Sequence, residues 1–285
     1  MPLALVYTLR PRRAANVPTG LGRAAHALVL DMIAAESPAL AERLHAANKL
    51  RPLTVSNPLG LPGAGAEVGV RPERAYRLRV TALTDELERL ARGWAETPPA
   101  EVSMGGVAWA VERVTARAAD DGWAGREGYG HLVEEGLRRA GGGPGRWTLE
   151  FSSPVSFRQR GMCQPLPLPE LVFGSLLDRW NALAPVPLPG EVRRYAAECL
   201  IASRFDLRTE AVLSKGGVPQ VGSVGRCSYI ALENDAVMGG CIEALTRFAF
   251  YSGIGAGTAR GLGQARAIGS GTRAPARRRG VSALA

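Results

Sequence analysis

Two histidines and a lysine are the residues of this chain best suited to moving protons around a phosphate. His45 stands near the end of a short helix-like segment, in Leu44-His45-Ala46-Ala47-Asn48-Lys49-Leu50-Arg51-Pro52. An imidazole titrates near neutrality and can give or take a proton. Lys49 follows four residues later and would set a fixed positive charge beside it. That pairing suits attack of a ribose 2′-hydroxyl on its own phosphate: a base takes the hydroxyl proton, an acid protonates the leaving oxygen, and a cation faces the charge that builds between them. No metal is needed for such a step. His45 also fits the plainer role of a surface cap at a helix end. His26 lies on the border of an apolar helical stripe, where a half-buried histidine is commonly structural. An antiparallel helix pair would bring it to the same cleft as His45. The third histidine, His131, carries no assignment.

A second chemical signal lies near the other end. In Phe248-Ala249-Phe250-Tyr251-Ser252-Gly253-Ile254-Gly255-Ala256-Gly257-Thr258-Ala259-Arg260-Gly261-Leu262-Gly263-Gln264, five glycines follow an aromatic, helix-like lead-in. Glycine accepts positive φ and lets backbone come close to a ligand. Successive amides turned one way make an anion nest, and phosphate is the natural guest. The competing readings are a tight helix-to-strand connection and a dinucleotide fingerprint. The second requires a strand before the loop and a helix after it, and the order here is reversed.

Composition narrows the partners. The formal charge is +9, and the basic residues are arginines apart from Lys49 and Lys215. Such a surface attracts polyanions, and the arginine fork matches phosphate. The four cysteines, Cys163, Cys199, Cys227 and Cys241, have no CxxC spacing. With three histidines besides, a metal site has little to draw on, and no metal or cofactor is expected. The first residues place their charges after the apolar run, the wrong order for a secretory signal. No apolar stretch reaches spanning length. The expectation is a cytoplasmic protein with free thiols and no membrane partner.

The elements that must position these residues follow from periodicity. Leu3, Leu5, Tyr7 and Leu9 alternate as a strand, and Leu21 to Ala35 has helical spacing. Ser37-Pro38 opens a second short helix to about Ala47, and Arg51 to Ser56 reads as a strand. Tyr76 to Leu83 alternates again. Its outer face carries Arg77, Arg79 and Thr81, either a plain basic surface or a strand that tracks RNA. Asp85 to Arg92 reads as a helix, Val107 to Val114 as a strand, and His131 to Arg139 as a short helix. Gly141 to Gly145 is the clearest boundary. Beyond it come a strand from Trp147, an Arg-bearing turn with Arg158 and Arg160, and helices over 170–183 and 190–203. Strands over 205–213 and 221–232, a helix over 236–251, the glycine loop and a last strand complete the run. The fold class is α+β, two tandem ferredoxin-like units: an N-terminal domain at 1–140, a C-terminal domain at 146–268, and a disordered basic tail at 269–285, where Arg273 and Arg277 to Arg279 would touch phosphate.

The glycine stretch 248–263 resembles the signature of the repeat-associated mysterious protein superfamily. Leu44-His45 with Arg51-Pro52-Leu53-Thr54-Val55-Ser56 resembles the "His, then Pro-Phe-Thr-x-Ser" segment of its repeat-RNA-processing CRISPR endoribonucleases, and Phe151 to Arg158 resembles their second-domain opening. The resemblance implies metal-independent cleavage of precursor CRISPR RNA within the repeat, with 5′-hydroxyl and 2′,3′-cyclic phosphate products. It makes His45 the general acid/base, with His26 joining it and Lys49 as the cation. RNA would be held by Gly253, Gly255, Gly257, Arg260, Gly261 and Gly263, with Arg158 and Arg160. Gly257 stands where many members have lysine, so Arg260 takes over the phosphate contact. Expected partners are CRISPR repeat RNA, a second copy of the chain and a CRISPR effector complex. Two alternatives are a non-catalytic RNA-binding subunit of such a complex and a generic RNA-binding ferredoxin-like protein. The generic protein would show an aromatic-rich strand, whereas aromatics are 6% here.

Overall fold

The computed structural model describes residues 1–46, 50–59, 61, 66–140, 145–213 and 219–269. The first half runs β1 (Leu3–Pro11), β2 (Ala15–Pro18), α1 (Gly22–Glu36), α2 (Pro38–Ala46), β3 (Leu53–Val55), β4 (Glu67–Val70), β5 (Tyr76–Ala82), α3 (Asp85–Glu96), β6 (Glu101–Met104) and β7 (Val107–Thr115). Its sheet has the order β3-β5-β1-β7-β6, antiparallel throughout. β2 and β4 form a separate two-stranded ribbon. Leu3, Leu5, Tyr7 and Leu9 enter one core with Val29 and Ile33 of α1 and Leu87 and Trp94 of α3. The alternation along β1 therefore points at the helices, as its period of two requires.

A bridging stretch follows, with β8 (Gly125–Arg126) paired to the start of β1, and α4 (Tyr129–Ala140). His131, Gly-flanked in the sequence, sits on α4 against Glu127. The second half runs β9 (Arg146–Val155), β10 (Phe157–Gln159), β11 (Met162–Gln164), α5 (Pro169–Leu183), α6 (Glu191–Glu198), β12 (Leu200–Leu213), β13 (Pro219–Ala231), α7 (Ala236–Ser252), a 3-10 turn (Thr258–Arg260) and β14 (Ala265–Ala267). The sheet order is β12-β13-β9-β14. Each half thus repeats β-α-β-β-α-β with its first and third main strands central, two ferredoxin-like folds in tandem.

Besides short strands that the sequence did not predict, one expected helix ends early. The helix expected over 190–203 ends at Glu198, and β12 begins at Leu200. Leu200, Ile201 and Ala202 pair with Ala231, Ile230 and Tyr229. Long-range pairing outweighs the helical propensity of the Ala-Glu run before it. Lys49 and the tail from residue 270 lie outside the described residues.

Candidate active-site cleft

α1 and α2 carry the two histidines. They fold back on one another through Leu30, Ile33, Leu40, Ala41 and Leu44, which share the first core. The N-terminus of α1 rests directly on the glycine loop. A Cβ on Gly22 would come within 2.3 Å of the Arg260 carbonyl oxygen, so only glycine allows this approach. One turn on, His26 is half-buried, and its Nδ1 is sealed from solvent with no partner among the described residues. His45 is exposed in the last turn of α2. Arg51 donates Nη1 to the Leu44 carbonyl at 2.8 Å. It thereby satisfies an end-of-helix carbonyl and sets a cation at the negative end of the helix dipole.

These groups feel one another. Burial pushes the His26 imidazole down to about 4, and the positive charges of Arg51, Arg260 and His45 push in the same direction. His26 is therefore neutral at pH 7. His45, Arg51 and Arg260 all lie close enough to bear on His26; the sequence suggested only a shared cleft for His26 and His45, and placed Arg260 on the separate RNA-holding loop.

The glycine loop differs from the expected nest. Gly253, Gly255, Gly257, Gly261 and Gly263 all have φ between 63° and 93°. Yet the amides turn inward. Gly253 donates to Ala249 O at 3.0 Å, Ile254 to Gly263 O at 2.8 Å, Ala256 to Ser156 O at 2.8 Å, Gly261 to Val55 O at 2.9 Å and Gly263 to Pro154 O at 3.0 Å. Gly255 N donates to Ser175 Oγ at 3.0 Å. Buried Arg179 braces the loop from below through Thr258 Oγ1 (2.7 Å) and Gly255 O (3.1 Å). A bridge between Ser56 and Gly261 docks the loop on the end of β3. The open cradle expected at these glycines is thus narrowed: the amides of Gly253, Gly255, Gly261 and Gly263 are spent on the fold. The exposed group at this docking point is Arg260.

Arg260 belongs to a basic cluster. Its guanidinium is held below its ordinary pKa by burial first, then by Arg23, Arg158 and Arg51. Beside it opens a cleft of about 560 Å³ lined by Arg23, Ser56, Asn57, Ser152, Ser153 and Arg260 among others. Arg158 and Arg160 ride on the β10–β11 hairpin, whose turn places Arg160 (φ 49°) and Gly161 (φ 80°) in the left-handed region. Like charges gathered with few carboxylates create a site that an anion relieves.

The basic outer face expected on β5 is open only at Arg77, since Arg79 and Thr81 are buried. Arg77 pairs with Asp121 at 3.0 Å. Arg79 is covered by the second half. Sequence reasoning gave no site role to Arg23 or Arg51, and it read Arg79 as an outward arginine of β5. Arg51 adjoins the Pro52–Ser56 segment and was within reach of it; nothing local marked Arg23.

Comparison with known proteins bears on the family and the fold. The profile for "CRISPR-associated endoribonuclease Cas6" matches residues 149–265. Among solved structures, a Thermus thermophilus Cas6 in a product complex superposes with a TM-score of 0.77 at 29% identity, over 94% of this chain and 100% of that one. A second Cas6 product complex gives 0.73 at 29% identity, over 94% and 99%. A Cas6-related protein from Pyrococcus furiosus, at 14% identity and a TM-score of 0.60, shares the fold. No curated protein matches by sequence. Fold and matches define an RNA-binding, RNA-processing protein of CRISPR systems. The chain is similar to the Cas6 family of CRISPR-associated endoribonucleases, by profile over 149–265 and by fold over nearly its whole length. Among the described residues, no helix is long and apolar enough to cross a membrane.

Proposed function

We propose that this chain cleaves precursor CRISPR RNA within the repeat by a metal-independent reaction in which the ribose 2′-hydroxyl is the nucleophile. His26 enters neutral and takes the hydroxyl proton. The 2′-oxygen forms its bond to phosphorus, the bond to the 5′-oxygen breaks, and His45 donates the proton that leaves with it. The products are a 2′,3′-cyclic phosphate and a 5′-hydroxyl. Arg51 and Arg260 face the extra charge of the phosphorane-like transition state. The β10–β11 hairpin, with Arg158 and Arg160, holds backbone phosphates beside it. Lys49 adds a further cation from the segment after α2. The glycines hold the loop rather than the RNA. A homodimer and association with an effector complex belong to the same proposal.

The observation that carries this reading is the convergence on His26: Arg51, Arg260 and His45 come from three separate segments, and all bear on one imidazole. One of the similar solved structures is a histidine-to-alanine mutant of a Cas6, and others are product and substrate-mimic complexes, which fits a histidine as the residue of interest there.

The test is His45→Ala against a labelled repeat transcript. Loss of a general acid/base lowers the rate by about 10²–10⁴-fold, with RNA binding retained. EDTA leaves the wild-type rate intact, and a 2′-deoxy substitution at the scissile nucleotide blocks the reaction. Undiminished cleavage by His45→Ala, or loss of cleavage in EDTA, overturns the assignment.

A further inference from the structure

We propose that Arg79 is a positioning residue for cleavage: it locks the glycine loop, and hence Arg260, against the wall that carries His26 and His45. The inference rests on the cleavage reading above and adds a residue that touches neither RNA nor the reacting atoms.

Arg79 is central in β5 and 1% exposed. Among the described residues no carboxylate pairs with it. Instead its fork is shared among three acceptors from outside its own sheet. Nε donates to Trp123 O at 2.8 Å, Nη1 to Gln264 Oε1 at 2.7 Å, and Nη2 to Phe250 O. The guanidinium carbon lies 4.5 Å from the centre of the Phe250 ring and 5.3 Å from that of Trp123.

The placement of these partners is what matters. Phe250 lies in the last turn of α7, immediately before the loop, and its carbonyl is one of those a helix end leaves over. Gln264 follows Gly263 directly, immediately after the loop. One side chain from the first half therefore grips both ends of a loop that belongs to the second. The backbone of Arg79 adds a third hold. Its N–H donates to Ser56 Oγ at 2.9 Å, and its carbonyl accepts from Ser56 N at 2.9 Å. Ser56 is the residue bridged to Gly261, next to Arg260.

Burial lowers the Arg79 guanidinium to about 9, which still leaves it charged at neutral pH. A buried charge without a counter-ion is a costly way to hold two surfaces together, and packed apolar side chains usually do it at least as well. Apolar packing does not define direction. A planar fork with three charge-assisted bonds does. Catalysis needs direction, because a displacement of about 1 Å at the reacting groups costs on the order of 10²-fold in rate.

The experiment measures single-turnover cleavage of a repeat transcript at saturating protein, together with RNA affinity, for Arg79→Met and Arg79→Lys. Arg77→Gln on the same strand and His45→Ala serve as controls. Both Arg79 variants are expected to cleave at least about tenfold more slowly at saturation while Kd stays within about threefold. Lysine does not rescue, because its point charge cannot meet three acceptors in three directions. Arg77→Gln cleaves at the wild-type rate. If Arg79→Met fails to fold, Arg79→Lys carries the test. A wild-type rate at saturation in either folded Arg79 variant overturns the proposal, and so does a loss confined to Kd. Normal cleavage by His45→Ala would instead strike the underlying chemistry. A silent His45→Ala beside fully active Arg79 variants would remove Arg79 alone.

Discussion

His26 shows how much a single side chain can carry. Its imidazole sits at about 4 because burial, and then three neighbouring positive charges, disfavour a fourth. In the unfolded chain the same group titrates near 6.5. As pH falls through 6.5 the unfolded state takes up a proton that the folded state refuses, so stability falls. The loss runs from about pH 6.5 down to about 4 and stops there, since below 4 both states are protonated. The full shift corresponds to about 3 kcal/mol, and partial exposure reduces it to about 1–2 kcal/mol. His26→Gln should therefore flatten the pH dependence of the unfolding free energy across this window, read by urea titrations at pH 4.5 and pH 7. An unaltered slope would mean that His26 is not held neutral by the fold. The same electrostatics bear on function. In the proposed reaction a phosphodiester between Arg51 and Arg260 would offset the charge part of this depression, leaving the larger part that comes from burial.

At the scale of elements, the glycine loop sets the geometry that everything else uses. A Cβ on Gly255 would lie 2.3 Å from Ser156 O, at a φ of 74°. Gly255→Ala must therefore break the loop's seat on the segment after β9, with an expected loss of at least about 2 kcal/mol. Gly93→Ala is the counter-case: the site is helical and open, so alanine should add about 0.5–1 kcal/mol. Chemical denaturation of the two variants checks both signs, and equal effects would refute the contrast. Such positions also mark where the sequence was legible. The alternation of β1 and the helical stripes of α1, α5 and α7 were readable because each buries a regular face of its own. β2, β6, β8, β10 and β11 are at most four residues long, too short for any period to declare itself. The end of α6 was misplaced because strand pairing with β13 is a long-range fact. Arg79 read as outward because alternation gives two faces and does not say that a second sheet will cover one. The glycine signature marked the loop correctly, but which amides remain free depends on Pro154, Ser156 and Val55, all distant in sequence.

At the scale of the whole molecule, the two halves are not beads on a string. Ala4 and Leu83 of the first half are buried in the core of the second, and Ala259 of the second is buried in the core of the first. Tyr129 at the head of α4 donates to Leu83 O at 2.8 Å. α4 then packs on α7 so closely that a Cβ on Gly136 would lie 2.4 Å from Gly240 O. Add the fork of Arg79 and the seat of Gly22 on Arg260, and the elements that hold the histidines have no route to unfold apart from those that hold the loop. Thermal unfolding should therefore be one cooperative transition, with the calorimetric enthalpy equal to the van't Hoff enthalpy. Gly136→Ala pushes α4 off α7 without touching the cleft. It should lower Tm by several degrees, at about 2–4 °C per kcal/mol for a chain of this size, while the transition stays single. Two resolved transitions, in the wild type or in Gly136→Ala, would show that the halves are energetically separate. Positioning of the cleft across their interface would then depend on local contacts alone.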